Sequence, residues 1–196
     1  MGRTSDARER LLGATAELML TRGYSALGVA DICAAADVRK GSFYHFFDSK
    51  QALTIEVLED YWAGQRSQWE ELLLGEDSPL ERLGRLLAAQ SQAQCDAKAY
   101  TGAVNGCLIG NLALELSTRD HVVQAKLNAI FDEQITLVEG VLHEAANAGE
   151  IPFASHELAR SVIAHLEGMV LFAKVSNDPQ VLAPLFPQVK LLLGAS

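Results

Sequence analysis

Three stretches of this 196-residue chain hold side chains whose types and spacing suit chemistry. The first is Arg39-Lys40-Gly41-Ser42-Phe43-Tyr44-His45-Phe46-Phe47, followed closely by Lys50. Arg39, Lys40, Ser42, Tyr44, His45 and Lys50 all donate hydrogen bonds, which is what phosphates and base edges accept. Phe43 and Phe47 stand at i and i+4, so one helix face is aromatic. A short helix with one apolar side and one donor-rich side suits a DNA groove. The same pattern also fits a solvated helix with a few cations. The second stretch is Asn105-Gly106-Cys107-Leu108-Ile109-Gly110-Asn111-Leu112, and the third is the apolar run that ends at Lys174. A thiol at a helix start and near a cation ionises readily and becomes a nucleophile; Lys174 is the candidate cation. Equally, Cys107 suits a small buried hydrophobe and Lys174 a snorkelling side chain. The residues alone leave both readings open.

The elements that position the first stretch are legible. Val29, Ile32, Cys33 and Ala36 recur at helical spacing. Asp37 then breaks the pattern, with a residue type that tolerates positive φ. Two short helices joined so tightly make a helix-turn-helix. On these residues, positions 8–53 resemble the DNA-binding domain of the tetracycline-repressor (TetR) family. The resemblance runs through Gly23-Tyr24, Val29-x-x-Ile32, Ala35-x-x-Val38, Lys40-Gly41-Ser42-Phe43-Tyr44-His45-x-Phe47 and Ser49-Lys50. It implies a DNA-reading domain over 1–50 and a ligand-binding and dimerisation domain over 51–196. It also implies DNA contacts by Arg39, Lys40, Gly41, Ser42, Tyr44, His45 and Lys50, with Arg39 and Lys50 on phosphates. Leu27 and Gly28 stand where relatives often carry a hydroxyl, and Arg39 where they often carry a capping Ser or Thr. These departures bear on which operator is bound.

The remainder reads as all-α, about nine helices in total. Asp6 with Glu9 resembles a capping box for the first helix, preceded by a polar arm at Arg3 and Thr4. A fourth helix should run from Ser49 to about Leu74, carrying Trp62. Further helices are expected from Pro79, from Val122 to Asn147, from Ser155 to about Val175, and from Pro179 to near Leu193. The last two are apolar around more of their surface than one core contact needs. Val162, Leu166, Val170, Leu182, Leu185, Phe186 and Val189 are therefore the expected two-fold interface, two helices from each subunit. Such a dimer sets two recognition helices about 34–36 Å apart, one turn of DNA.

Gly106-Cys107-Leu108-x-Gly110-Asn111 and Glu167-Gly168-x-x-Leu171-x-Ala173-Lys174 are similar to a TetR branch. That branch includes the repressor of N-ethylmaleimide reductase and an acrylate-responsive repressor. The resemblance implies that Cys107 senses an electrophile or oxidant inducer with Lys174 as its partner. Asn111 and Trp62 are expected beside them. Two rivals stay in view: an enzyme using Cys107 and Lys174, and an adaptor with a vestigial DNA reader.

Net charge is −9, yet residues 1–50 hold seven Lys and Arg against six Asp and Glu, a balance of +1. The other 146 residues thus carry −10, so DNA binding must rest on local cations. The three cysteines fit a reducing cytoplasm rather than a disulfide framework. No apolar run approaches a membrane span, and the start of the chain lacks a signal-like core. His121, His143, His156 and His165 lack metal-ligand spacing, and neither a cofactor nor a metal is expected.

Overall fold

The computed structural model describes the backbone of residues 2–195 and the side chains of residues 6–195. Arg3 and Thr4, expected as a polar arm, therefore have side chains outside the described residues. Among the described residues nine α-helices follow one another: α1 Gly2–Arg22, α2 Val29–Ala35, α3 Lys40–Phe46, α4 Lys50–Leu73, α5 Pro79–Thr101, α6 Leu108–Leu116, α7 His121–Asn147, α8 His156–Ser176 and α9 Leu185–Leu193. A 3-10 turn at Pro179–Leu182 precedes α9. Among the described residues there is no strand, and no helix is long and apolar enough to cross a membrane.

The helix boundaries follow local chemistry. Ser78 caps α5 by accepting from the Glu81 amide while Glu81 reaches back to the Ser78 amide, with Pro79 in the first turn. Ser155 caps α8 through the Leu158 amide. Asn177 ends α8 in the left-handed region at φ 50°. Two expectations need correction. Asp6 lies inside α1, which already runs from Gly2, so the Asp6–Glu9 pair does not start that helix. The final helix is also broken, because Pro184 lacks the amide that would bond back one turn and so caps α9 instead.

The chain forms two compact units. One comprises the chain up to Gly64 together with Cys107–Ala129, and the other Gln65–Gly106 together with the chain from Ile130 onward. In the first, Leu11, Met19, Ile32, Phe43, Phe47, Leu53, Leu58 and Leu108 are fully buried.

The core of the second unit corrects the expected interface. Val162, Leu166, Val170, Leu182, Leu185 and Val189 are all buried within the single chain. The Phe186 ring lies over α5, where a Cβ added to Gly84 would come within 3.0 Å of it. These seven residues hold α8 and α9 to their own unit. On α8 and α9 the large apolar side chains left in solvent are Leu171, Phe172, Val175, Leu191 and Leu192, with Val175 77% exposed.

Candidate nucleic-acid interface and sensor residues

The recognition turn is built locally. Ala36 closes α2, Asp37 adopts φ 51°, and the Val38 amide bonds back to the Cys33 carbonyl at 2.9 Å. This sequence of one left-handed residue and one back-bond turns the chain within three residues. Helix α3 follows with Arg39 at its cap, lacking a side-chain cap bond. Phe43 and Phe47 pack inward, with ring centroids 5.8 Å apart. Arg39, Lys40, Gly41, Tyr44 and His45 are exposed, and Ser42 is half-buried. Tyr44 keeps 53% of its surface in solvent while its ring edge meets Phe43. Cys33 is buried beneath this face, and burial pushes its thiol up, with Lys40 opposing.

Lys50 is placed otherwise than its expected phosphate contact suggests. Its Nζ donates to the Tyr24 carbonyl at 3.0 Å and the Leu27 carbonyl at 2.8 Å. It also stands 3.8 Å from the centroid of the Tyr24 ring. Burial pushes its ammonium down from the ordinary lysine range, with Glu115 working the other way. Two of its three donors are spent inside the protein, so Lys50 acts as a structural tie for the α1–α2 turn. Lys50→Ala is expected to lower the stability of this unit by about 2 kcal/mol, the worth of such charge-assisted bonds. It should leave the salt slope of DNA binding unchanged. Lys40→Ala should instead reduce that slope by about 1 with little loss of stability. Thermal melts and salt titrations of operator binding separate the two.

The amides of the same turn face an anion. Glu115, in the last turn of α6, accepts from the Tyr24 amide at 2.8 Å and the Ser25 amide at 2.6 Å. Gly23 adopts φ 81°, and a Cβ there would stand 3.1 Å from the Glu115 carboxylate. Nearby, Gln51 of α4 donates to Asp120 at 2.7 Å, and Asp120 also accepts from the Val122 and Val123 amides that open α7. Burial alone would raise both carboxyls; the hydrogen bonds they accept outweigh it and hold both below the usual carboxylate range. A depressed folded pKa stabilises above the unfolded value and is lost as pH falls. The stability of this unit should therefore decline as pH drops below about 4.5. In acid-melt profiles, Glu115→Gln should flatten that decline.

Cys107 occupies the N-cap of α6 at φ −98°, and its Sγ accepts from the Gly110 amide at 3.5 Å. The sensor candidate thus supplies the cap itself. Gly106, at φ 80°, lies outside the helix. The Asn111 amide bonds to the Cys107 carbonyl at 2.8 Å. Trp62 is buried in the same unit. Lys174 is half-buried in the last turn of α8 and belongs to the other unit.

Sequence reading missed the residues that hold the segment 104–106. Gln94 of α5 bonds the Gly106 amide at 3.1 Å and the Gly106 carbonyl at 3.3 Å. Asn177 accepts from the Val104 amide at 2.8 Å. The signal available was an amide at an unusual place, Gln94 on a helix that buries leucines and Asn177 at a helix end. Among the described residues, no three His, Cys, Asp or Glu side chains are grouped to hold a metal.

Comparison with known proteins agrees with this architecture. Residues 11–57 match the family described as bacterial regulatory proteins, tetR family. Residues 79–186 match the tetracyclin repressor-like C-terminal domain. The chain is 34% identical over 185 residues to the HTH-type transcriptional repressor DhaR of Mycobacterium sp. strain GP1, covering 93% of this chain and 89% of that protein. A regulatory protein TetR from Rhodobacter sphaeroides superposes with a TM-score of 0.85 at 28% identity, covering 95% and 98% of the two chains. The reduced form of Escherichia coli NemR superposes with a TM-score of 0.84 at 28% identity, covering 97% and 98%.

Proposed function

The chain belongs to the TetR family and is a DNA-binding transcriptional repressor rather than an enzyme, and on that premise we propose that it grips its operator as a two-fold dimer and is released when an electrophile or oxidant reaches Cys107. The observation that carries the reading is the face of α3. Phe43 and Phe47 are spent on the core while Lys40, Tyr44 and His45 stay in solvent. A Cβ on Gly41 would meet nothing within 4 Å, so packing within the chain does not demand a glycine there. Close approach of a DNA backbone does. Lys40 and Arg39 supply local charge against the anionic remainder of the chain.

The dimer seam follows from what α8 and α9 leave uncovered. Glu157, Ser161, Ala164, Gly168, Leu171 and Val175 recur at alternating spacings of four and three along α8. That is the spacing of a helix-packing seam, and its small residues permit close approach. Leu191 and Leu192 of α9 extend the apolar surface. Large apolar side chains left in solvent on two helices suit a partner site, and a second copy satisfies it with two-fold symmetry.

Cys107 is a suitable trigger because its sulfur is the cap of α6. The thiol gives its proton to solvent, the thiolate adds to an activated alkene so that an S–C bond replaces the C=C π bond, and the adjacent carbon takes up a proton from solvent. The sulfur then carries a bulky substituent where the Gly110 amide bonds. The testing experiment is a gel shift with the DNA upstream of the protein's own gene, with and without N-ethylmaleimide or acrylate. A shift abolished by one of them is the expected result. No shift at all defeats the DNA reading, and a shift indifferent to both defeats the sensing reading.

A further inference from the structure

We propose that Glu115 is the residue that couples α6 to the DNA reader, by clamping the two amides of the α1–α2 turn with one carboxylate. It deepens the reading above and rests on it in one respect, that the signal starts at Cys107. Cys107 and Glu115 bound the same nine-residue helix, so a displacement at the cap is carried about 12 Å to the carboxylate. At that end the contact is bidentate and short, 2.8 Å and 2.6 Å to consecutive amides.

The turn it holds is where the helix-turn-helix begins. Leu27 is buried and Gly28 is the cap of α2, with its amide bonded to Asp31 at 2.8 Å. The carbonyls of Tyr24 and Leu27 are held from the other side by Lys50. The turn therefore sits between a carboxylate on its amides and an ammonium on its carbonyls. Neither group reaches it from α1 or α2: one comes from α6 and one from α4. Lys50 belongs to the helix that follows α3; Glu115 belongs to α6 and lies 90 residues beyond Ser25. Glu115 is thus a positioning residue that acts through the backbone of Tyr24 and Ser25. Gly23 is required beside it, since a Cβ would crowd the carboxylate in a conformation already restricted to glycine.

The test compares the parent with Glu115→Ala and Glu115→Gln. Operator affinity is measured before and after N-ethylmaleimide, with full modification of Cys107 verified by mass spectrometry. The parent is expected to lose at least roughly tenfold in affinity, within the usual range of coupling between sites. Glu115→Ala, equally modified, is expected to lose less than about threefold. Glu115→Gln, which keeps an acceptor oxygen, should fall between them. Amide hydrogen exchange at Tyr24 and Ser25 should speed up in Glu115→Ala while the remaining helices stay protected. Release of modified Glu115→Ala as complete as that of the parent overturns the coupling. Should the parent itself hold DNA with Cys107 fully modified, the sensing reading fails and the unmodified proteins decide. Then Glu115→Ala binding operator at least fivefold more weakly, with its fold retained by circular dichroism, supports the clamp, and parent-like affinity overturns it.

Discussion

Cys107→Ser is expected to bind operator as tightly as the parent and to stay bound in N-ethylmaleimide. Two properties of position 107 are separated by this change. The first is structural: the side chain caps α6 by accepting from the Gly110 amide. Serine is among the preferred capping residues, so the helix start is retained or strengthened. The second is chemical: a thiol at a helix N-terminus is a nucleophile, whereas a hydroxyl without an activating base is not. The parent should lose affinity by a factor of roughly 5–150 on alkylation, the range of ordinary coupling between two sites. The variant should lose none. Alkylation of Cys33 is not expected to interfere, since that thiol is buried and kept protonated by its surroundings. Gel shifts of the two proteins at matched reagent concentration check this, and release of the serine variant would show that the sensing atom lies elsewhere.

Leu171→Glu combined with Val175→Glu is expected to split the dimer. Both side chains are among the exposed apolar residues of α8, so neither change removes core packing, and the fold should melt as the parent does. In the seam, however, the two carboxylates would face their symmetry mates, and burying like charges unpaired is strongly unfavourable. A monomer engages one half-site only. The second half-site no longer binds intramolecularly, and operator affinity should fall by roughly 10²–10⁴. Leu185→Ala makes the opposite case. Leu185 is fully buried in its own unit, so the cost should be about 2–5 kcal/mol of folding stability with the dimer intact where folded. Sedimentation velocity distinguishes the two variants. A double-glutamate protein that still sediments as a dimer would place the seam on another face.

The contrast between these two substitutions marks where one-dimensional reading stops. Periodicity revealed that α8 and α9 are apolar on more than one side. It assigned the better-patterned set, Val162, Leu166, Val170 and their α9 counterparts, to the interface. Folding buried that set against the chain's own helices and left Leu171, Phe172, Val175, Leu191 and Leu192 outside. An apolar stripe carries no mark that distinguishes a neighbouring helix of the same chain from one of a second copy. Lys50 illustrates the same gap for charge. A lysine beside a recognition helix reads as a phosphate donor, yet its ammonium is consumed by the carbonyls of Tyr24 and Leu27.

The all-helical class, the helix-turn-helix with Asp37 at its turn, and the outward set on α3 were legible in the residue pattern. Each follows from interactions within a few residues: the i, i+4 aromatics, a residue tolerant of positive φ, the caps at Ser78 and Ser155. Three pairings emerge with the fold alone: Glu115 clamps Tyr24 and Ser25 from about 90 positions away, Gln94 and Asn177 hold the segment 104–106, and Cys107 is itself the cap of α6. Those pairings depend on where distant helices pack. A carboxylate on α6 or an amide on α5 has no local feature naming its partner, because its partner is a backbone group that every residue type presents alike.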